Sequence, residues 1–358
     1  MKRIIAVFMA LVLVLSLAAC GGSSSSNDNQ NSKNCEVAMI TDSGTINDGS
    51  FNQATWESIE EFSSENNLAC KHYKPKEATK EAYLTSIQKA VDDKAKIIIM
   101  AGSNFETTVY TAQTTYPEVY FLLIDGVPHD ESNNYATAAN TIGIIFAEED
   151  AGYLAGYAAV KEGYTKLGFM GGIERPPVKR YGYGYVQGAS AAAAETKTKI
   201  EIRYAYTGTF DESDAVQDAA KTWYKEGTEV IFACGGAMGK SVIKAAEKNS
   251  GKVIGTDIDQ SGISATVITS AEKGIDTAVK SSLKQYVNEK FVGGLAFNYT
   301  AKNDGVMLEM ENAKLTKFTE DDYKKVFREL KNGKIELKKD TDVAAVTEFA
   351  SEWVTLKQ

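Results

Sequence analysis

Short apolar runs alternate with helical patterns along most of this sequence, and this alternation restricts the fold more than any other feature. The clearest runs cover residues 37–41, 96–100, 119–124, 166–170, 229–234 and 252–256. Each run is mostly apolar at successive positions, which is typical of parallel strands that are covered by helices on both faces. The alternation starts again at Lys166. The sequence therefore predicts an α/β fold with two doubly wound parallel-sheet units.

The polar loop after the first run is the strongest candidate for a ligand site. In open α/β sheets, ligands bind beyond the carboxyl ends of the strands, where this loop lies. The loop has no Lys or Arg for a phosphate, so it suits a neutral, hydroxyl-rich ligand with a flat face. Its candidate binding residues are Asp42, Asn47, Asp48, Ser50, Phe51 and Asn52. The simpler alternative is that Asp48 or Ser50 caps the helix that follows and Phe51 joins the core.

Polar or glycine residues also follow the other predicted strands. Together with the first loop, these strand ends carry Asp42, Gly102, Asp125, Gly171, Gly235, Gly236 and Asp257. Two α/β units that face each other at such ends form a cleft, which is a favoured place for small-molecule binding. The sequence therefore predicts a ligand site between two domains.

Charge and composition exclude several classes of function. The net charge is −9 at pH 7, whereas a nucleic-acid partner requires a basic face. His72 and His129 are the only histidines, and the cysteines lack the spacing of a metal site. The sequence shows no nucleophile with a base beside it. We therefore expect no nucleic-acid partner, no metal, no cofactor and no enzymatic activity.

The first residues resemble a bacterial lipoprotein signal. Residues 1–3 carry positive charge, residues 4–17 are apolar, and Leu-Ala-Ala-Cys20 matches a lipobox, in which the cysteine is lipidated. The apolar segment is short for a membrane span. We expect a signal peptide over 1–20, lipidation of Cys20 and a flexible tether over 21–34. The protein would then be exported and anchored to the outer face of the bacterial cell membrane.

Export would permit disulfide bonds. Cys35 precedes the first strand and Cys70 lies in a second short run. If the two strands are parallel neighbours, the two sulfur atoms could reach each other, but the sequence does not establish the geometry that a bridge needs.

Two glycine-rich stretches resemble nucleotide-binding motifs without matching them. Residues 235–241 follow a strand and open a helix, but a P-loop needs a glycine where Cys234 stands. We therefore expect Lys240 to be solvated or to line the cleft mouth. Residues 182–188 have one residue too many for a dinucleotide fingerprint and lie inside a helical pattern. The tyrosines around them are expected to form an exposed or rim patch, with a role at the cleft mouth as the alternative: Tyr181, Tyr183 and Tyr185.

Five short motifs occur in one order along the chain. They are Asp42-x-Gly44-x-x-Asn47-Asp48-x-Ser50-Phe51-Asn52, Gly235-Gly236, Gly255-x-Asp257-x-Asp259-Gln260, Thr269-Ser270-x-x-Lys273 and Asp304-Gly305-Val306. Taken together, they resemble the basic membrane protein family, which includes the PnrA-like purine nucleoside-binding lipoproteins of bacterial ABC transporters. The resemblance covers about residues 36–345.

Membership would imply a type 1 periplasmic-binding-protein fold, with two α/β lobes joined by three crossing strands. We expect an N-terminal lobe from 35–143 plus 268–298 and a C-terminal lobe from 144–267 plus 299–350, with segment 266–289 returning to the first lobe. The resemblance also implies a protein that captures a nucleoside, with purines favoured, and passes it to an ABC permease in the membrane. We expect this protein to be a monomer.

The resemblance further implies that the nucleoside base lies between two aromatic rings. Phe51 matches the first ring, and the second is expected within residues 206–211, with Phe210 as the choice and Tyr206 as the reserve. The positions expected to hold the ribose hydroxyls are matched by Asp257 and Lys273. The base or the sugar edge would be contacted by Asp42, Asn47, Asp48, Asn52 and Asp125, and Ser50, Gly235 and Gly236 complete the predicted site.

Two other functions fit the same fold class. One is a binding protein for a sugar or an autoinducer-like ligand, which would depend less on Phe51. The other is a nucleoside-processing enzyme, which the scarcity of histidine and the lipobox oppose.

Overall fold

A computed structural model describes residues 34–42 and 44–358 of the chain. The predicted signal peptide, the lipidation of Cys20 and all but the last residue of the predicted tether lie outside the described residues. No helix in the described ranges is long and apolar enough to cross a membrane.

Strands and helices alternate through the described chain and are numbered here in chain order. The strands are β1 (Val37–Ile40), β2 (Cys70–Tyr73), β3 (Ile97–Ala101), β4 (Tyr120–Ile124), β5 (Thr141–Phe146), β6 (Lys166–Gly171), β7 (Ile200–Tyr206), β8 (Val230–Cys234), β9 (Lys252–Asp257), β10 (Val267–Lys273), β11 (Leu295–Tyr299), β12 (Val306–Leu308) and β13 (Val354–Lys357). The α-helices are α1 (Phe51–Glu65), α2 (Lys80–Asp92), α3 (Glu106–Thr115), α4 (Glu148–Glu162), α5 (Pro176–Thr196), α6 (Asp214–Lys225), α7 (Met238–Asn249), α8 (Ile275–Val287) and α9 (Glu320–Lys331).

The strands form two sheets, each at the centre of one lobe. The first lobe has the order β11-β5-β4-β3-β1-β2, and the second has β12-β10-β9-β8-β6-β7-β13. Neighbouring strands are parallel except for the pair β10 and β12. In β1, Val37 and Met39 join one hydrophobic cluster while Ala38 and Ile40 join another. The sheet is therefore covered on both faces, as its continuous apolar strands predict.

The chain passes between the two lobes three times. It leaves the first sheet after β5, leaves the second sheet after β10, and leaves the first sheet again after β11. Backbone hydrogen bonds join these crossings: Ala147 N–H donates to the Tyr299 carbonyl at 2.8 Å, and Gly274 N–H donates to the Gly305 carbonyl at 2.8 Å. The crossings therefore form one hydrogen-bonded junction between the lobes.

Four of the predicted lobe boundaries are wrong. Tyr299 pairs with Phe146 in the first sheet, so that lobe extends past 298, and β13 pairs with β7, so the second lobe extends past 350. β10 pairs with β9 in the second sheet, with Ser270 opposite Gly255, so residues 268–273 do not belong to the first lobe. The chain returns to the first lobe one element later, when α8 packs against α1. β5 also continues to Phe146 in the first sheet, beyond the predicted boundary at 143. An apolar run can pair in either sheet, so its pattern alone does not assign it to a lobe.

The predicted exposed tyrosine patch is also wrong. Tyr181, Tyr183 and Tyr185 are 1%, 2% and 0% exposed. They lie on α5, which packs closely along α4 because glycines line the contact. A Cβ atom added at Gly184 would lie 2.1 Å from the Glu149 carbonyl oxygen, and one added at Gly152 would lie 2.1 Å from the Tyr181 carbonyl oxygen. This close approach buries the tyrosine rings.

The cysteines of the described chain are free thiols: Cys35, Cys70 and Cys234. β1 and β2 are parallel neighbours, as the disulfide hypothesis requires. However, Cys35 belongs to the hydrophobic cluster on one face of the sheet, and Cys70 packs against the cluster on the other face. Because the two side chains face opposite sides of the sheet, no bridge forms.

Candidate functional site

A cavity lies between the lobes, at the carboxyl ends of strands from both sheets. Its empty volume is about 840 Å³, which includes space open to solvent. Most of the predicted binding residues line it: Asp42, Asp48, Phe51, Asn52, Asp125, Phe210, Gly235, Gly236, Asp257 and Lys273.

Asn47 and Ser50 are absent from the cavity lining and instead connect the two lobes. The Ser50 hydroxyl donates to Asp257 Oδ2 at 2.6 Å, and the Asn47 carbonyl accepts a hydrogen bond from Lys240 Nζ at 2.7 Å. Gln260 Nε2 adds a third such bond, to the Gly49 carbonyl at 2.8 Å. These contacts hold the lobes together over the cavity, and they place Lys240 at the cleft mouth.

Asp48 caps helix α1 while it lines the cavity. Its Oδ1 atom accepts from the Ser50 N–H at 2.8 Å and the Gln53 N–H at 3.1 Å, and its Oδ2 atom accepts from the Asn52 N–H at 3.1 Å. These bonds satisfy N–H groups that the first turn of a helix leaves free. The capping interpretation is therefore correct for Asp48. Phe51 is half-buried, packs against the core and also lines the cavity.

Two aromatic rings from opposite lobes line the cavity. Phe51 begins α1 in the first lobe, and Phe210 follows β7 in the second. A Cβ atom at Gly172 would lie 2.4 Å from the Phe210 ring, so this glycine leaves the space that the ring occupies. Tyr206 is not in the cavity lining, and its hydroxyl is hydrogen-bonded to the Tyr204 hydroxyl at 2.8 Å. The geometry therefore favours Phe210 as the second ring.

A buried charged cluster lies at the junction of the lobes and borders the cavity. We call Lys273, Asp125, Glu148 and Asp257 the Lys273 cluster. Lys273 Nζ lies 2.6 Å from Asp125 Oδ2, 3.1 Å from Glu148 Oε1 and 3.8 Å from Asp257 Oδ1. The same Nζ atom lies 5.0 Å from the centre of the Phe51 ring, within the range of a cation–π contact. The cluster therefore adjoins one of the two cavity rings.

Burial and mutual attraction set the charges in this cluster. Burial raises the pKa of Asp125 to about 7, although the positive charge of Lys273 opposes this rise. Burial also raises the pKa of Asp257, against Lys273 and the Ser50 hydrogen bond. Burial acts against the charged form of Lys273, but its three carboxylate neighbours raise its pKa above the ordinary value. The ammonium group is therefore firmly charged.

Glu148 is held in the charged form by two cations. Its side chain is 0% exposed, and Arg180 Nε lies 2.5 Å from its Oε2 atom. Although burial acts to raise the pKa of Glu148, Arg180 and Lys273 lower it below the ordinary value. Because Glu148 begins α4 and Lys273 ends β10, their ion pair joins two of the three crossings between the lobes.

The two cavity carboxylates of the cluster lie at strand ends with unusual backbone geometry. Asp125 has φ +65° and Asp257 has φ +73°, in the left-handed region that Asp enters more readily than most residues. Such backbone geometry is concentrated at binding and catalytic sites. It turns both side chains out of their strands at the cavity.

Sequence reasoning missed several residues of the site. Arg175 lies shortly after β6, before the prolines that open α5, and lines the cavity with Tyr181. The expectation that polar residues after the predicted strands line the cleft could have identified Arg175. The sequence gives no such signal for Glu148, because acidic residues are common in the first turn of a helix. Tyr181 was expected in an exposed patch, with the cleft mouth as the alternative, but it is buried and its hydroxyl lies 3.4 Å from Asp257 Oδ1.

A separate group of carboxylates could in principle hold a cation. Oxygen atoms of Asp259, Glu272 and Glu309 lie within 4.8 Å of one another, but these residues do not line the cavity. Burial, followed by repulsion from Glu309 and Asp259, raises the pKa of Glu272 to about 8.

The fold and the site define a class of protein. Two α/β lobes, joined by three crossings, place polar and aromatic groups from both sides around one cavity, which is the arrangement of a binding protein that closes on a small ligand. Residues 35–341 match the family described as ABC transporter substrate-binding protein PnrA-like. The chain belongs to this family.

Two relatives are similar over most of their length. The ABC transporter nucleoside-binding protein BmpA of Lactococcus lactis subsp. cremoris is 31% identical over 303 residues, which cover 78% of this chain and 82% of that protein. Basic membrane protein A1 of Borrelia garinii subsp. bavariensis is 31% identical over 294 residues, which cover 79% of this chain and 82% of that protein.

A solved structure confirms the predicted fold. An ABC transporter solute-binding protein from Aeropyrum pernix K1 matches with a TM-score of 0.78 at 20% identity, over 88% of this chain and 96% of that one. The chain therefore has the type 1 periplasmic-binding-protein fold. Membership in a family of transporter substrate-binding proteins also confirms that it is not an enzyme and that it serves an ABC permease by binding a ligand.

Proposed function

We propose that this protein captures a nucleoside, purine nucleosides above all, and delivers it to the permease of its ABC transporter. The observation that carries this proposal is the pair of rings, Phe51 and Phe210, beside the Lys273 cluster in one cavity. A flat base fits between two aromatic faces, and the hydroxyl-rich ribose fits the charged groups. The Lactococcus lactis relative, described as nucleoside-binding, supports the same ligand class.

The buried charges would select for the sugar by hydrogen bonding. Asp125 and Asp257 can accept hydrogen bonds from ribose hydroxyls, and Lys273 can donate one. Asp125 Oδ1 is buried without a hydrogen-bond partner among the described residues. A ligand hydroxyl would supply this missing partner, whereas a ligand without hydroxyls would leave the buried group unpaired at a cost of about 1–3 kcal/mol.

The lipobox at residues 17–20 supports attachment of this binding protein to the membrane through a lipid on Cys20. Such an anchor would keep the protein beside its permease. Fractionation of cells that express wild type and Cys20→Ala tests it. The wild type should be found in the membrane fraction and Cys20→Ala outside it, and an identical distribution of the two would contradict lipidation.

Calorimetric titration tests the ligand class. The purified protein is first unfolded and refolded, so that any ligand carried over from cells is removed. It is then titrated with adenosine, guanosine, inosine, cytidine, uridine, the free bases and ribose. One-to-one binding of nucleosides, with bases and ribose much weaker, is the expected result. Tight binding of ribose alone would favour a sugar-binding protein, and no binding across the panel would refute the proposal.

A further inference from the structure

A group of exposed apolar side chains lies on the first lobe, away from the cavity. Tyr286 and Phe291 are at its centre, because the ring centre of Tyr120 lies 5.7 Å from that of Tyr286 and 4.6 Å from that of Phe291. The group also contains four of the six large apolar residues that are exposed among the described residues: Tyr120, Val287, Val292 and Leu295, at 36%, 40%, 51% and 47%. We call these six residues the Tyr120 patch. Apolar patches on a protein surface often mark interaction sites.

The strand topology separates the Tyr120 patch from the cavity. Tyr120 begins β4 and Leu295 begins β11, and both strands run parallel to β5 between them. The patch therefore lies at the amino ends of the first sheet, whereas the cavity lies at the carboxyl ends. No residue of the patch lines the cavity. A partner on the patch would therefore leave the cavity uncovered.

The chain enters the first sheet beside this patch. The Tyr286 hydroxyl donates to Glu36 Oε1 at 3.0 Å, and Glu36 immediately precedes β1. Residues 21–34, which connect Cys20 to this point, can span at most about 50 Å even when fully extended. A lipid on Cys20 would therefore hold this end of the protein near the bilayer.

The charges around the patch are compatible with a lipid surface. Six charged residues flank it in the sequence, three of each sign: Lys96, Lys284, Lys290, Glu36, Glu118 and Glu289. Their charges cancel, whereas the whole chain has a net charge of −9. Because anionic lipids repel acidic protein surfaces and attract lysine side chains, a membrane would favour the approach of this patch over most of the remaining surface.

The side chains of the patch are also suited to the membrane interface. Tyrosine combines an apolar ring with a hydroxyl that can reach the headgroups, and exposed Val, Leu and Phe side chains can enter the boundary between headgroups and acyl chains. A patch of this size would bind a bilayer weakly by itself. A lipid anchor on the same chain raises its effective concentration at the bilayer, so weak contacts suffice.

We propose that the Tyr120 patch is a membrane-contact surface, which lies against the bilayer that holds the lipid anchor. This inference rests on the proposed lipidation of Cys20, since the anchor supplies the effective concentration that the patch needs. The protein is then oriented on the membrane, with the amino ends of the first sheet toward the lipids and the cavity away from them. Nucleosides can therefore enter the cavity while the protein is in contact with the bilayer.

Photolabelling from the bilayer tests the contact surface on the mature lipoprotein. The protein is reconstituted in vesicles of phosphatidylcholine and phosphatidylglycerol that contain a trace of lipid with a diazirine near its headgroup, and labelled peptides are mapped by mass spectrometry. Peptides that contain Tyr120 or residues 286–295 should carry at least about fivefold more label than peptides from α7 in the second lobe. Even labelling of all exposed surfaces would overturn the inference and leave the lipid anchor in place.

A double variant, Val292→Glu/Leu295→Glu, tests the patch itself. Both side chains are about half exposed, so the fold should be kept, and an unchanged melting temperature verifies this. The label on the Tyr120 peptide should fall by about fivefold or more, because charged side chains oppose entry into the bilayer boundary. Ile263→Glu is the matched control, since Ile263 is 45% exposed but lies in the second lobe; it should keep the wild-type labelling. Equal labelling of the Tyr120 peptide in the wild type and the double variant would contradict the inference.

Two further results would overturn the inference in distinguishable ways. β11 lies at the edge of the first sheet, and an edge strand can pair with another chain. A dimer of the wild type in size-exclusion chromatography that the double variant does not form would assign the patch to a second copy of this chain. An N-terminal peptide without the mass of a lipid on Cys20 would refute the anchor and this inference together. Nucleoside binding, measured by calorimetry, is independent of both results.

Discussion

Replacement of Lys273 by Met should strongly destabilise the protein. The side chain of Lys273 is 2% exposed, and those of its partners Asp125, Glu148 and Asp257 are 7%, 0% and 8% exposed. Methionine has a similar length but no charge. In the variant, Arg180 still compensates Glu148, whereas the two aspartates lose their cation and stay buried.

The expected magnitude follows from the cost of breaking a buried ion pair. Removing one partner of such a pair costs about 3–5 kcal/mol, because a charge is left buried without compensation. This corresponds to a factor of roughly 10² to 10⁴ in the unfolding equilibrium constant. Lys280→Met is the matched control, because Lys280 pairs with exposed Glu61 and Asp276. Its effect should stay within about 1 kcal/mol.

The loss should depend on pH in a defined direction. Burial raises the pKa of Asp125 to about 7 even beside Lys273, and removal of this cation raises it further. The folded variant then binds a proton at pH values where the unfolded chain has released it, so the stability of the variant increases as the pH falls through this raised pKa, which lies above 7. Lys273→Met should therefore lose less stability, relative to wild type, at pH 5.5 than at pH 8.

Urea denaturation of the ligand-free protein, followed by circular dichroism, measures these differences. The double variant Lys273→Met/Asp125→Asn should recover part of the loss at pH 8, because asparagine carries no charge that needs compensation. A Lys273→Met variant within about 1 kcal/mol of wild type at pH 8 would contradict the reasoning. So would an equal loss at both pH values.

Three other predictions concern the cavity and its closure. Phe210→Ala should weaken nucleoside binding by about tenfold or more through lost stacking, whereas Tyr206→Phe should change it by less than about twofold in the same calorimetric titration. Asp257→Ala should lower ribonucleoside affinity by at least about tenfold, but should lower the affinity for a 2′,3′-dideoxynucleoside much less, because that ligand lacks the 2′- and 3′-hydroxyls. Equal losses for both ligands would contradict the assignment of Asp257 to the ribose. Lys240→Ala removes the hydrogen bond to the Asn47 carbonyl, so the ligand-free protein should have a larger radius of gyration in X-ray scattering; an unchanged radius would contradict a closing role.

Local patterns in the sequence predicted the strands well, because buried parallel strands need continuous apolar residues. The predicted runs 96–100 and 252–256 correspond to Ile97–Ala101 and Lys252–Asp257. The same patterns did not assign β10 to the second sheet, since an apolar run can pair in either sheet. Long-range pairing, and not local composition, decides this assignment.

The site was predictable where a residue lies at a strand end and unpredictable where its environment comes from distant elements. Asp125 and Asp257 follow apolar runs, so the topology alone brings them to one edge of each sheet. Glu148 looks like a helix-capping acid in sequence, and its burial against Arg180 and Lys273 depends on how the lobes meet. The burial of Tyr181 likewise depends on the glycines that bring α4 and α5 together.

A crystal structure of the protein with bound guanosine tests the central claim most directly. The account predicts that the base lies between the rings of Phe51 and Phe210, and that ribose hydroxyls lie within hydrogen-bonding distance of Asp125, Asp257 or Lys273. A nucleoside bound outside this cavity, or one whose base lies away from both rings, would contradict the account.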